Sequence, residues 1–245
     1  MLKKSFFYFI ILSLFAVACN PSDKKEGKYD TRAIESLDQM SETIGDLSSC
    51  SYTLNTDLNR LNNSNELENI INEHDVYMRG PDKLYVYSTG SKGKRSYWYN
   101  GNRFSYYSYG RNVYDTLSVS GNILDAIDLL HNKYGIDFPA GDFFYPSLTD
   151  DLIENSNEIL FLEKESLDGN DYTIIEAINK DKTIIIWIDE NTKLPYQLIM
   201  TSNDESGISY HAVFSNWRVN PKLSDIMFEF EPTGNYTREK LQTKK

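Results

Sequence analysis

The sequence predicts an α+β fold, in which a large curved antiparallel sheet is covered on its concave side by an N-terminal helix and a mid-chain helical insertion. Three observations carry this. Apolar residues recur at helical spacing near the start of the chain and again near its middle. Elsewhere the apolar period is two, in short runs bounded by Gly, Asn and Asp turns. These runs amount to about eleven or twelve strands, more than a twisted sheet usually holds without curling.

The elements follow in order. Met1-Leu2-Lys3-Lys4 is a cationic start, and Ser5 to Val17 is an uncharged apolar run. That run is too short to cross a hydrocarbon core of roughly 30 Å as a helix, and it has the layout of a secretory signal peptide over residues 1–18. Ala16-Val17-Ala18-Cys19 resembles the lipobox of bacterial lipoproteins, which implies cleavage before Cys19 and acylation of its sulfur. Cys19 and Cys50 are the only cysteines. An acylated Cys19 therefore leaves Cys50 without an intramolecular partner, as a small half-buried thiol at a helix-to-strand junction. Residues 19–29 are polar after the cysteine, with Pro21 and Gly27, and read as a flexible tether.

Residues 30–235 then form one domain. Asp30 or Thr31 caps a helix reaching about Asp46, with Ile34, Leu37, Met40, Ile44 and Leu47 on one stripe. From Ser51 the period is two, placing Tyr52, Leu54, Thr56 and Leu58 on one face. Strands are predicted over residues 74–79, 83–88, 96–100, 104–109 and 113–118, with Asn100-Gly101 a strong hairpin signal. Residues 120–134 read as a helix with Ile123, Leu124, Ile127 and Leu130 on its stripe and Gly135 at its end. A short helix over 147–155 follows. Further strands are predicted over 158–165, 172–179, 183–189, 196–201, 209–218 and 226–231, and residues 236–245 are a polar tail expected to fray.

Composition excludes several functions. The chain carries a net charge of −11, and Lys3 and Lys4 leave with the signal peptide, so its surface does not favour nucleic acid or anionic headgroups. His74, His131 and His211 are far apart, and Glu73-His74-Asp75 on a strand cannot converge, so no metal site is expected. Gly90-Ser91-Lys92-Gly93 lacks the form of a nucleophile elbow and reads as a hairpin turn. Asp150-Asp151 lies in the first turn of a predicted helix, where the dipole accounts for it. No catalytic residue and no cofactor is expected, and the protein is read as non-enzymatic.

The aromatic residues are more informative. Nine of the 18 tyrosines lie between Tyr77 and Tyr114. Tyr97, Tyr99, Phe104 and Tyr106 alternate on strands, as a half-buried sheet surface or as the wall of a cavity for an amphiphile. The run from Thr183 to Ile188 is apolar on both faces, so Ile185 and Trp187 meet either a second layer or the same cavity.

A family pattern is visible in the second half. Trp187-Ile188-Asp189-Glu190-Asn191-Thr192-Lys193-Leu194-Pro195 and Asn220-Pro221-Lys222-Leu223-Ser224-Asp225-Ile226-Met227-Phe228-Glu229-Phe230 resemble the C-terminal half of the outer-membrane lipoprotein carrier LolA and its relatives. With Lys133-Tyr134-Gly135-Ile136-Asp137-Phe138-Pro139 and Asp142-Phe143-Phe144, the chain is similar to a family of predicted periplasmic proteins of that fold, over roughly Tyr97 to Gly234. The resemblance implies an unclosed antiparallel β-barrel with helices as a lid over an apolar cavity. It also implies a lipid, acyl chain or other apolar ligand. The carriers are soluble, whereas a lipobox resembles the anchored receptor LolB and places this chain at the membrane, facing the periplasm from the outer membrane. The alternative is an envelope protein-interaction module with a filled barrel interior and the aromatic strands as its binding face.

Overall fold

A computed structural model describes residues 28–232, 234 and 236–244. The predicted signal peptide, Cys19 and the tether up to residue 27 lie outside the described residues.

Lys28–Tyr29 (β1) leads into α1 (Thr31–Gly45), whose first turn is closed by the Asp30 carboxylate accepting from the Arg32 N–H. Ala33, Leu37, Met40 and Ile44 recur at helical spacing and are buried against the sheet. Next comes an antiparallel meander of β2 (Ser49–Leu61), β3 (Leu67–Arg79), β4 (Lys83–Gly90), β5 (Arg95–Tyr99), β6 (Arg103–Ser108) and β7 (Val113–Ser118). The insertion holds α2 (Ile123–Tyr134), a 3-10 turn at Gly141–Phe144 and α3 (Leu148–Asn155). A reciprocal capping box between Asn122 and Asp125 starts α2, and Gly135, at a left-handed φ of 65°, stops it.

A second meander runs through β8 (Glu158–Leu167), β9 (Asn170–Ile178), β10 (Lys182–Asp189), β11 (Pro195–Ser202) and β12 (Ser209–Val219). β12 pairs antiparallel with β2, which joins the two meanders into one 13-stranded sheet among the described residues. β1 on β8 and β13 (Thr237–Arg238) on β7 are its two edges. The edges do not pair with each other, so the barrel is unclosed. Leu54, Ile175, Ile186 and Phe214 from the concave face pack with Leu37, Met40 and Leu130 from the helices in one core.

Three expectations are corrected. β3 begins at Leu67 instead of His74, because Ile70 pairs with Leu58 and continues the buried face. Residues 226–231 do not form a strand: Asp225–Phe228 is a 3-10 turn. The Arg79 guanidinium pairs with Asp225 and lies 5.4 Å from the Phe228 ring centre, while Phe230 packs on Trp98 at 4.8 Å. This segment therefore covers the convex face. The polar tail does not fray over its described residues. Arg238 Nε and the Leu241 N–H both donate to the Asp115 carboxylate, at 2.9 and 2.8 Å, and the Lys244 N–H donates to Lys133 O.

Candidate functional site

Helices and tail cover only part of the concave face. Two adjacent cavities of about 730 and 930 Å³ remain between sheet and lid. Both volumes fall within the range of roughly 300–1,000 Å³ typical of ligand pockets. The loop after α2 separates them, with Asp137, Phe138 and Asp142 from the loop and Leu198 and Met200 from β11 lining both. The first cavity lies over β2–β6 and is closed on one side by tail residues 239–242. The second lies over β10 and β11 beneath α2 and α3.

The sequence-predicted residues divide between wall and packing. Tyr97 and Tyr106 pair across β5 and β6 and line the first cavity. Burial pushes the Tyr97 hydroxyl pKa up. Tyr99 and Phe104 share their face one pair further on but line neither cavity. Phe104 packs against Phe138, and the Tyr99 hydroxyl donates to Gly121 O at 2.7 Å. Ile185 and Trp187 are also not cavity residues. The register of β10 sends Ile184 and Ile186 into the second cavity, and Trp187 outward against Tyr172 and Tyr196. The wall residues absent from the sequence reading are Ile184, Ile186, Leu198, Met200, Tyr210 and Phe138. Parity along each strand carried part of that information.

The aromatic face offered as a protein-binding surface is covered in part, with Tyr107 buried and Tyr109 exposed. Tyr107 packs against Tyr109, Tyr236 and Phe230, and Tyr114 also meets Phe230. The barrel interior is not filled by side chains.

The floor of the first cavity is not uniformly apolar. His74, Ser88 and Arg95 are register neighbours across β3, β4 and β5, and all three line it. His74 Nδ1 lies 2.7 Å from Ser88 Oγ, and Nε2 lies 3.3 Å from Thr56 Oγ1, which itself donates to Asn72 O. The arrangement is satisfied by the Nε2–H tautomer, with the Ser88 hydroxyl donating to Nδ1. Burial, and then the nearby Arg95 charge, push the His74 pKa down to about 4. The Ser–His pair is poorly suited to nucleophilic chemistry. Ser88 is 1% exposed, the second imidazole nitrogen faces a hydroxyl where a triad has a carboxylate, and a base of such low pKa accepts protons weakly at neutral pH.

The two cavities differ in charge. Arg60, Lys92, Arg95, Arg111 and Lys240 line the first, against Asp137, Asp142 and Glu239. The second is lined by five aspartates and only Lys180 and Lys182 as full cations. There Tyr145 donates to Asp128 at 2.6 Å, and burial together with that bond pushes the phenol pKa up. Among the described residues, no group of three or more His, Cys, Asp or Glu side chains is placed to hold a metal ion.

The motif residues of the second half serve the scaffold. Asp189 Oδ1 accepts from the backbone of Asn191 and Thr192 and closes the β10–β11 turn. Asn220 Oδ1 accepts from the backbone of Ser48 and Ser49, fixing the α1–β2 junction. Trp217 Nε1 donates to Pro195 O at 3.1 Å.

Comparison with known proteins agrees with this architecture. A family model described as predicted periplasmic protein (DUF2092) matches residues 33–238. No curated protein matches the sequence. Among solved structures, an uncharacterized conserved protein from Thermus thermophilus superposes with a TM-score of 0.50 at 11% identity, covering 85% of this chain and 98% of that one. Lipoprotein LppX from Mycobacterium tuberculosis gives a TM-score of 0.48 at 14% identity, over 80% of this chain and 98% of that one. A LolA superfamily protein from Nitrosomonas europaea gives 0.35 at 14% identity, over 81% and 97%.

Proposed function

The chain belongs to this family of predicted periplasmic proteins, and from that premise we propose that it is an exported, non-enzymatic envelope lipoprotein that holds an acyl chain or similar apolar ligand inside its half-barrel. The observation that carries the reading is the unfilled concave face. Leu198, Met200, Ile184 and Ile186 from the sheet and Phe138 from the lid leave apolar space of ligand size. An acyl chain needs a dry, non-directional wall of this kind and gains about 0.8 kcal/mol per buried CH₂. Cys19, acylated, is the proposed anchor. It would hold the barrel at the outer membrane facing the periplasm, so the ligand is received or held there and not shuttled.

Two experiments test this. The full chain carrying Cys19→Ala, exported and purified without detergent, is expected to carry co-purifying lipid or to take up added palmitate in native mass spectrometry. A folded protein that does neither refutes the binding reading. Metabolic palmitate labelling is expected on the unaltered chain and absent from Cys19→Ala, and label that persists in the variant refutes the anchor.

A further inference from the structure

The apolar wall accounts for an acyl chain but not for the polar residues sunk into the first cavity. Arg95 projects from the concave face of β5 beside Ser88 and His74, on the same face as Tyr97. Among the described residues its guanidinium has no carboxylate within ion-pair distance. Arg60 and Arg111, by contrast, are matched by Glu68 at 2.7 Å and Glu239 at 2.5 Å. Arg95 Nε is buried without a hydrogen-bond partner in the protein, as are Asn72 Oδ1 and the Tyr210 hydroxyl, and all three residues line this one cavity. Of these, the Arg95 Nε–H is the donor that an anionic ligand could match, by bringing an acceptor to the guanidinium.

The position of the charges adds direction. Lys92 lies in the β4–β5 turn, at the same end of the sheet as Arg60, the start of β5 and Arg111. Partial burial and then repulsion from Arg60 and Arg95 push the Lys92 pKa down, against the opposing pull of Glu68 and Asp137. Arg60 and Arg111 have their carboxylates, whereas Lys92 and Arg95 form no ion pair among the described residues, so an anion between these two would be favoured. The second cavity has five aspartates, two of them shared with the first, against Lys180 and Lys182, and so favours an anion less.

We infer that the first cavity binds an amphiphile head-first in one orientation, a carboxylate or phosphate headgroup meeting Arg95 and Lys92 while the acyl tail runs past Tyr97 and Phe138 toward Met200. This rests on the acyl-binding reading above and adds the headgroup charge to it. The ligand class is therefore an anionic single-chain or small-headed lipid, and a neutral lipid of equal tail binds less well.

The test compares palmitate, hexadecan-1-ol and inorganic phosphate by fluorescence displacement on the full chain carrying Cys19→Ala, below the micellar limit of each probe. Palmitate is expected to bind on the order of tenfold more tightly than hexadecanol, the size of one charge-assisted contact. Arg95→Gln should bring palmitate down to the level of hexadecanol and leave hexadecanol unchanged, and Arg95→Lys should retain most of the preference. Lys92→Gln, on an exposed turn where folding is not at issue, should weaken palmitate severalfold, most at low salt, and leave hexadecanol unchanged. Equal binding of palmitate and hexadecanol by the unaltered site, or equal losses for both in Arg95→Gln and in Lys92→Gln, overturns the headgroup assignment and leaves the acyl reading standing. Phosphate that displaces the dye as well as palmitate does makes this a free-anion site and overturns it too. Failure of both palmitate and hexadecanol removes the acyl reading itself, and this inference with it.

Discussion

Lowering the pH should destabilise this protein through His74, and the size of the effect can be worked out. In the folded state the imidazole is buried among Thr56, Ser88 and Arg95, and its pKa falls from 6.5 to about 4. Above pH 6.5 the folded and unfolded chains both carry it neutral, and the full stability is present. As pH falls below 6.5 the unfolded chain takes up a proton that the folded one refuses, so stability is lost until both are protonated near pH 4. One proton over that window, at about 1.36 kcal/mol per pH unit, amounts to about 3 kcal/mol. Urea unfolding followed by tryptophan fluorescence, between pH 7.5 and pH 4.5, would compare the unaltered side chain with His74→Gln. Carboxylates titrate in both proteins, so their contributions cancel in the difference. The histidine protein is expected to lose about 2–3 kcal/mol more than the variant over this range. A difference below about 0.5 kcal/mol, or one that opens above pH 7, would refute the buried neutral imidazole.

Other perturbations have equally definite outcomes. Burial pushes the Cys50 thiol up to about 12, so in the Cys19→Ala chain it should resist iodoacetamide at pH 8 until urea unfolds the protein, and stoichiometric labelling of the native state would contradict its burial. Arg238→Ala removes one of two partners from an Asp115 carboxylate that is 1% exposed. A loss of about 1–3 kcal/mol is expected, with faster amide exchange at Leu241, and unchanged urea midpoints would show that the tail is not clamped there. Met200→Trp should fill space shared by the two cavities, cutting palmitate uptake while leaving the melting temperature within a few degrees. Full uptake by that variant would place the ligand elsewhere.

The helix ends were legible because their signals are local. Asp30 caps α1 and Gly135 stops α2, each acting within a turn of its own position, whereas the sequence reading starts α2 three residues early, at 120, ahead of the Asn122–Asp125 capping box. Strand faces were legible only where composition alternates. The 184–186 stretch is isoleucine throughout, so parity could not say which residues point inward. The pairing of β10 with β9 and β11 decides for Ile184 and Ile186 against Ile185. Tyr97 and Tyr99 share a face, and what packs Tyr99 away from the cavity is its hydroxyl bond to Gly121 O, in the segment leading into α2, which is remote in sequence. The docked tail was hidden for the same reason, since Asp115 and Arg238 are remote in sequence and look like ordinary surface charges.

The polar floor of the first cavity was the most readable feature that went unread. His74 has the parity of Val76 and Met78, Ser88 that of Val86 and Leu84, and Arg95 that of Tyr97 and Tyr99. A polar residue at the inward position of an otherwise apolar strand either finds partners or faces something wet or charged. One such residue is commonplace. Three on adjacent strands, brought side by side by the hairpin registers, are not explained by the scaffold, whose own polar needs are met elsewhere by Asp189 and Asn220. His74 satisfies itself with Ser88 and Thr56 and stays neutral. That leaves Arg95 as the charge on the sheet floor of this cavity that forms no ion pair among the described residues. An acyl carrier indifferent to headgroups would gain from an aliphatic residue there, because a guanidinium with a buried, unmatched Nε costs stability and attracts water into a space that serves best dry. Its presence beside the tyrosine wall therefore favours a ligand with an anionic end.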